Sequence, residues 1–192
     1  EVVSADILKT DISALVREKF AGLTPIVCAN LPYNITTPAI TALIESKCFE
    51  NITVLVQKEV AERLCAAPGT SAYGAFSVFM QYYTEPEYLF AVPRECFEPQ
   101  PKVTSAVLRA VVRREPPVEV EDEKFFFRVV YAAFALRRKT LVNSLMTAFG
   151  SQLTKEQVTQ AVTSCGLEAN IRGERLGLSE FAALSAEIAA LL

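Results

Sequence analysis

The sequence predicts an α/β body followed by a small all-α lobe. Three observations carry that expectation. From Glu1 to Ala66, short apolar runs alternate with segments of helical periodicity, the pattern of strands joined by helices. Two further strand-like runs, Tyr88–Val92 and Thr104–Val112, then lie close together across a proline-rich loop, which adds an antiparallel edge to a parallel sheet. Beyond Arg114-Glu115-Pro116-Pro117 and an acidic stretch ending at Glu123, strand patterns cease and only helical periodicity remains. The boundary separates a body, residues 1–115, from a lobe, residues 116–192.

In order along the chain, Glu1 to Ala5 reads as the end of a strand closed by Asp6. Asp11 caps a helix carrying Ile12, Leu15, Val16 and Phe20 on one face, and Gly22 stops it. Pro25 to Ala29 is a short apolar strand. Thr37 as cap and Pro38 as first helical residue open a second helix with Ile40, Leu43 and Ile44. Ile52 to Val56 is apolar on both faces, as a covered strand is. Glu59 to Ala66 reads as helix, broken by Pro68-Gly69-Thr70, and Gly74 to Tyr82 as another. In Thr104–Val112, Leu108, Ala110 and Val112 alternate with Arg109, Val111 and Arg113, so one face is buried while the arginines reach outward.

The lobe reads as amphipathic helices. One carries Phe126, Val129, Val130, Ala133 and Phe134, and the next Val142, Leu145, Met146 and Phe149. Thr154-x-x-Gln157 has the capping-box spacing before Val158, Ala161, Val162 and Cys165, with Gly166 as the stop. Ser179 is the expected cap of the last, which carries Phe181, Leu184, Ile188 and Leu191.

Composition narrows the function. The 192 residues, 51% hydrophobic and 21% charged, suit one large domain or one domain with a small appendage. A net charge of −3 excludes a generally basic nucleic-acid binder and leaves room for a local basic patch. With no histidine, His-based general base catalysis and the commonest metal ligand are excluded. The five cysteines are scattered and never in C-x-x-C spacing, as expected of free thiols in a reducing cytoplasm and not of a disulfide framework or zinc site. No apolar run approaches the roughly 20 residues that span a bilayer, so no membrane partner is expected.

The apolar run Ile26-Val27-Cys28-Ala29 ends abruptly in Asn30-Leu31-Pro32-Tyr33, and this turn carries the chemistry. An adenine N6 amine is a poor nucleophile because its lone pair is delocalised into the ring. A site that alkylates it presents acceptors to both N–H groups, which favours a pyramidal nitrogen. The Asn30 side-chain oxygen and the Leu31 carbonyl can be those acceptors. Pro32 fixes the backbone without adding a donor, and Tyr33 can stack on the base. The bland alternative is an Asn-x-Pro turn before a helix. Asp6, at the end of a strand, lies where ligands bind in open α/β sheets; it reads equally as a turn aspartate capping its own backbone.

These residues resemble a known family. Asn30-Leu31-Pro32-Tyr33-Asn34-Ile35-x-Thr37-Pro38 is similar to the catalytic motif of S-adenosylmethionine-dependent rRNA adenine N6,N6-dimethyltransferases. Further stretches match it in order: Gln57-Lys58-Glu59-Val60-Ala61-x-Arg63-Leu64, then Tyr73-Gly74 to Gln81-Tyr82-Tyr83, and Phe97-x-Pro99-x-Pro101-Lys102-Val103-x-Ser105-Ala106-Val107. In the lobe, Phe134-Ala135-x-Arg137-Arg138-Lys139-Thr140-Leu141 and Arg172-x-Glu174-x-Leu176 also resemble it. The likeness is nearest to the bacterial branch that dimethylates two adjacent adenosines near the 3′ end of small-subunit rRNA.

The resemblance implies a Rossmann-like class I methyltransferase sheet, incomplete at its N-terminus, with S-adenosyl-L-methionine as donor and no metal. It implies Asp6 and Asn30 as cofactor-binding residues, Asn30 to Tyr33 as the catalytic turn, and Phe97 as the aromatic that sandwiches a flipped base against Tyr33. Phe97 as an apolar anchor of its loop is the structural alternative. Arg137, Arg138 and Lys139, with Arg113-Arg114, are the implied phosphate contacts; a solvated, basic helix end is the other reading. The implied partners are small-subunit rRNA and the pre-30S particle, met by a monomer.

The sequence departs from the family in one respect. Its seven glycines are never in the G-x-G spacing of a donor-binding loop. The opening on Glu1, with an apparent strand already under way, leads to the expectation of an N-terminally shortened sheet with exposed apolar edges, low solubility, and little donor binding by this chain alone. A non-catalytic RNA-binding or ribosome-assembly protein with the same fold is the competing reading.

Overall fold

The computed structural model describes all of residues 1–192. The chain forms two compact units: Glu1–Cys65 with Tyr83–Glu115, and Ala66–Tyr82 with Pro116–Leu192.

The first unit is built on a four-stranded sheet of order β1-β2-β4-β3, with β1 Ile26–Asn30, β2 Asn51–Gln57, β3 Thr84–Val92 and β4 Ser105–Val112. β1 and β2 are parallel, and β4 runs antiparallel to both β2 and β3. Helices α1 (Ile12–Lys19), α2 (Thr36–Glu45) and α3 (Lys58–Leu64) fill the connections. The core lies on one face of the sheet: Ile52, Val54 and Val56 of β2 and Ala106, Leu108 and Ala110 of β4 are buried with Ile40, Leu43 and Ile44 of α2. On the opposite face Arg109 pairs with Glu87 at 2.6 Å and Arg113 with Glu85 at 2.8 Å, across the β3–β4 ladder. These arginines reach outward as the alternation implies, and they tie two strands together.

Several local expectations hold. The Asp11 carboxylate accepts from the Ala14 N–H at 2.9 Å, capping α1, and Gly22 takes the left-handed conformation (φ +76°) that ends the turn after it. Others are corrected. Glu1–Ala5 forms no strand, because strand identity requires a hydrogen-bonding neighbour and none pairs with it. α2 starts at Thr36, directly after a 3₁₀ turn at Tyr33–Ile35, so Thr37 and Pro38 lie inside its first turn. Pro38 is tolerated there because the first N–H groups of a helix have no intrahelical acceptor. β3 begins at Thr84, four residues before the apolar pattern starts. Its Glu85-Pro86-Glu87 segment is polar because β3 is an edge strand, where proline is accommodated and carboxylates can meet the β4 arginines. β1 is the other edge strand, and its Ile26 is 63% exposed.

The second unit comprises α4 (Ala75–Tyr83, but for its last residue), α5 (Glu123–Phe134), α6 (Leu141–Phe149), α7 (Lys155–Ser164) and α8 (Leu178–Ala189). Residues 66–82 precede the sequence boundary at 115 but group with the helices, and aromatic packing explains why. Tyr73 meets Phe134 edge-on at 5.8 Å, and Tyr82 lies 5.2 Å from Phe126 and 5.3 Å from Phe127. The Thr154–Gln157 capping box forms as expected. The last helix is capped at Gly177 and not at Ser179: the Glu180 carboxylate accepts the Gly177 N–H at 3.0 Å, so the helix starts sooner than the Ser179 signal suggests. No helix is long and apolar enough to cross a membrane.

Gly173 opens a short 3₁₀ turn packed directly on α5. A Cβ there would lie 2.6 Å from the Ala133 carbonyl oxygen and 3.1 Å from the Ala133 Cβ. Gly173→Ala is therefore expected to destabilise the helical unit by about 1–3 kcal/mol through overpacking, measured as a lowered urea midpoint. A melting curve unchanged from the parent chain would show that α5 yields freely.

Candidate active site

The site is made where the β1–β2 ladder stops. Asn30 is the last residue of β1, in register with Leu55, and the Leu31 N–H still donates to the Leu55 carbonyl at 3.2 Å. Pro32 cannot extend the ladder because it has no N–H. Its own carbonyl instead receives the Ile35 N–H at 3.1 Å and the Thr36 hydroxyl at 3.2 Å, which starts the 3₁₀ turn and seats it on α2. The Leu31 side chain is buried beneath the turn. Its carbonyl, and the Asn30 side-chain amide, have no hydrogen-bond partner within the chain. The turn thus holds two adjacent acceptors uncommitted at the open end of a strand.

Tyr33 follows at the start of the 3₁₀ turn. Its hydroxyl lies 2.8 Å from the Ser105 hydroxyl on the first residue of β4, while the residue is 36% exposed. The loop after β3 holds a 3₁₀ turn at Arg94–Cys96, then Phe97 in extended conformation and a cis Glu98–Pro99 peptide. The Asn30–Tyr33 turn and Phe97, Pro99 and Pro101 together line a cleft of about 290 Å³, near the lower end of the volume range of small-ligand sites. Its lining includes two aromatic residues, Tyr33 and Phe97, and the Asn30–Leu31 pair with its uncommitted acceptors. Such a site suits a flat heterocycle bearing an exocyclic amine.

The structure brings Asn30, Leu31, Pro32, Tyr33 and Phe97 into this one cleft. Asp6 is not among its lining residues. The Asp6 carboxylate accepts the Leu8 N–H at 3.0 Å and faces Lys9 at 3.7 Å, the geometry of an aspartate capping its own turn. In the helical unit, Arg137 is committed locally: its guanidinium donates to the Ser71 carbonyl at 2.7 Å and the Tyr73 carbonyl at 3.2 Å, with Glu174 at 3.7 Å. Arg138 and Lys139 remain exposed with unpaired side chains. Ser105 has no role in the sequence reading; its burial and its bond to Tyr33, 72 residues away, appear only in the fold.

These residues meet the comparisons with known proteins. A family model described as ribosomal RNA adenine dimethylase matches residues 1–188. The chain belongs to that family. It is 48% identical over 187 residues to the ribosomal RNA small subunit methyltransferase A of Geobacillus sp. (strain WCH70), covering 96% of this chain and 64% of that protein. The protein of the same description from Streptococcus gordonii is 50% identical over 187 residues, again with 96% and 64% covered. The chain therefore spans about 64% of the length of these curated relatives. In fold it is similar to a dimethyladenosine transferase from Plasmodium falciparum, with a TM-score of 0.78 at 22% identity over 100% of this chain and 73% of that one. It also resembles the 23S rRNA methyltransferase ErmE, with a TM-score of 0.65 at 23% identity, covering 98% and 72%. The Rossmann-like class I methyltransferase architecture with a helical lobe is thus the family fold, and methylation of ribosomal RNA is the family chemistry.

Asn30, Leu31, Tyr33 and Phe97 line one cleft. For S-adenosyl-L-methionine, the chain offers Asn30 and a self-capped Asp6, and none of its glycines forms a G-x-G cradle.

Two exposed thiols bracket the cleft in sequence, Cys28 on β1 and Cys96 beside Phe97. Cys65 is different: burial, reinforced by Glu87, pushes its thiol up to about 11. A raised pKa means that the folded state holds the proton more tightly. The associated stability is fully present below the ordinary thiol range and is lost as pH rises toward 11. At pH 8, iodoacetamide is expected to alkylate Cys28 and Cys96 first and Cys65 last, read by peptide mass spectrometry. Cys65→Ala is expected to flatten the fall in urea midpoint between about pH 9 and pH 11.

Proposed function

We propose that this chain carries the adenine-presenting part of an S-adenosyl-L-methionine-dependent rRNA adenine N6,N6-dimethyltransferase acting on small-subunit rRNA during ribosome biogenesis. The observation that carries this reading is the pair of uncommitted acceptors, Asn30 Oδ1 and the Leu31 carbonyl, at the mouth of an aromatic cleft.

A flipped adenine enters between Tyr33 and Phe97, whose faces replace the stacking lost when the base leaves its neighbours. Asn30 and Leu31 each accept one N6–H, drawing the amine away from the ring plane so that its lone pair points out of the base. A bound donor would supply a sulfonium methyl group: the S–CH3 bond would break as the N6–CH3 bond forms, and the neutral thioether would leave. The N6 cation would then give its proton to water, so no strong base is needed. The absence of histidine is compatible with this chemistry.

Residues 1–115 hold the catalytic turn and 116–192 the rRNA-binding helices, to which we add 66–82 by packing. Arg138 and Lys139 are the phosphate contacts, and Arg137 holds the Ser71–Tyr73 segment beside them. With no glycine-rich cradle, the 192-residue chain alone is proposed to hold the donor weakly and to show no turnover. Saturable binding of S-adenosyl-L-methionine to it in the micromolar range, by equilibrium dialysis, would refute that part.

The catalytic reading is tested at the length of a relative, by replacing the matching segment of the Geobacillus protein with this chain and assaying methyl transfer to small-subunit particles. Asn30→Ala is expected to lower the rate by about a hundredfold or more, the scale of losing one oriented polar group at a reacting centre. Unchanged incorporation would dismiss the turn as the reacting site.

A further inference from the structure

Tyr33 is held from behind by a residue outside the turn. Its hydroxyl lies 2.8 Å from that of Ser105, 72 residues further along the chain. Ser105 is 0% exposed, and a buried hydroxyl needs a partner; Tyr33 is the partner it has.

The two ends of this hydrogen bond differ in stiffness. Ser105 opens β4 and is paired on both sides, with Gln57 at the end of β2 and Val92 at the end of β3. The neighbouring Thr104 carbonyl also accepts the Lys58 N–H at 3.0 Å. Tyr33 stands on a 3₁₀ turn three residues long, with its ring partly exposed to the cleft. The hydroxyl bond to the sheet gives the ring a fixed point at its far end while the residue stays partly exposed.

We propose that Ser105 is a positioning residue for the reaction: its buried hydroxyl holds the Tyr33 ring in the orientation on which the target purine stacks. The proposal rests on reading Tyr33 as a stacking platform, and its test separates the two. The hydrogen bond adds no contact to the base. It lowers the ordering that the ring undergoes when a base arrives, a gain of preorganisation.

The probe is a short oligoribonucleotide with 2-aminopurine in place of its adenines, whose fluorescence is quenched by stacking, titrated with the 192-residue chain. Tyr33→Leu is expected to abolish the quench. Ser105→Ala and Tyr33→Phe should each weaken quench-derived affinity by about three- to tenfold, the worth of one intramolecular hydrogen bond. The double variant should bind no more weakly than either single one, since all three lack the same bond. Ser105→Thr, which keeps the hydroxyl, should stack as the parent does.

Thermal melting distinguishes positioning from a merely structural role. Tyr33→Phe leaves the Ser105 hydroxyl buried without a partner and should melt earlier, whereas the double variant removes both partners and should regain stability. Recovered stability with stacking still impaired is the positioning result. If the double variant recovers both, Ser105 is structural only and the proposal fails. If Ser105→Ala stacks like the parent while Tyr33→Leu does not, the proposal fails and the platform reading stands. If Tyr33→Leu itself stacks normally, both fail.

Discussion

The β1–β2 ladder continues for one hydrogen bond beyond Asn30, from the Leu31 N–H to Leu55, and then meets a residue with no N–H to offer. Most of what is distinctive in the first unit depends on that interruption. A continued strand would commit its carbonyls to a neighbour or bury them. Pro32 turns the chain into a 3₁₀ turn and then α2, so the carbonyl just before it and the side chain of the exposed Asn30 are left without a hydrogen-bond partner in the chain. The buried Leu31 side chain and the Thr36 hydroxyl on the Pro32 carbonyl fix the turn from both sides. Free acceptors on a backbone held this firmly are suited to recognising an amine, because little is lost in ordering them.

The sheet matters to the site as an anchor more than as a surface. β4 lies between β2 and β3 and brings Ser105 to the Tyr33 hydroxyl, and the loop from β3 to β4 carries Phe97, Pro99 and Pro101 to the same cleft. Arg113, part of the Arg113-Arg114 pair that in sequence suggests a basic rim, pairs with Glu85 of the edge strand, and Arg109 of β4 with Glu87. Pairs as exposed as these contribute little stability, but they occupy cations that a phosphate would otherwise meet.

A similar division runs through the helical unit. The triplet Arg137-Arg138-Lys139 is uniform in charge and divided in use. Arg137 donates to two carbonyls of the Ser71–Tyr73 segment, which also inserts Tyr73 against Phe134, and so it stitches residues 66–82 to the helices. Arg138 and Lys139 are left as the free cations. In the same unit, Gly173 allows its turn to reach the α5 backbone at a distance that no side chain would permit.

Much was legible in the sequence because it is written in local spacing. The Asp11 and Thr154 caps, the left-handed Gly22 and Gly166, the alternation of β4 and the Asn30–Tyr33 turn all depend on neighbours within a few residues. The family motifs are of the same kind. What only the tertiary structure decided depends on partners far along the chain: Ser105 on Tyr33, Arg137 on Ser71 and Tyr73, and residues 66–82 on the aromatic residues of α5. Glu1–Ala5 shows the same limit from the other side, since an apolar pattern makes a strand only where another backbone completes its hydrogen bonds. Spacing specifies which groups a segment can present, and the long-range hydrogen bonds and packing determine which of them are already used.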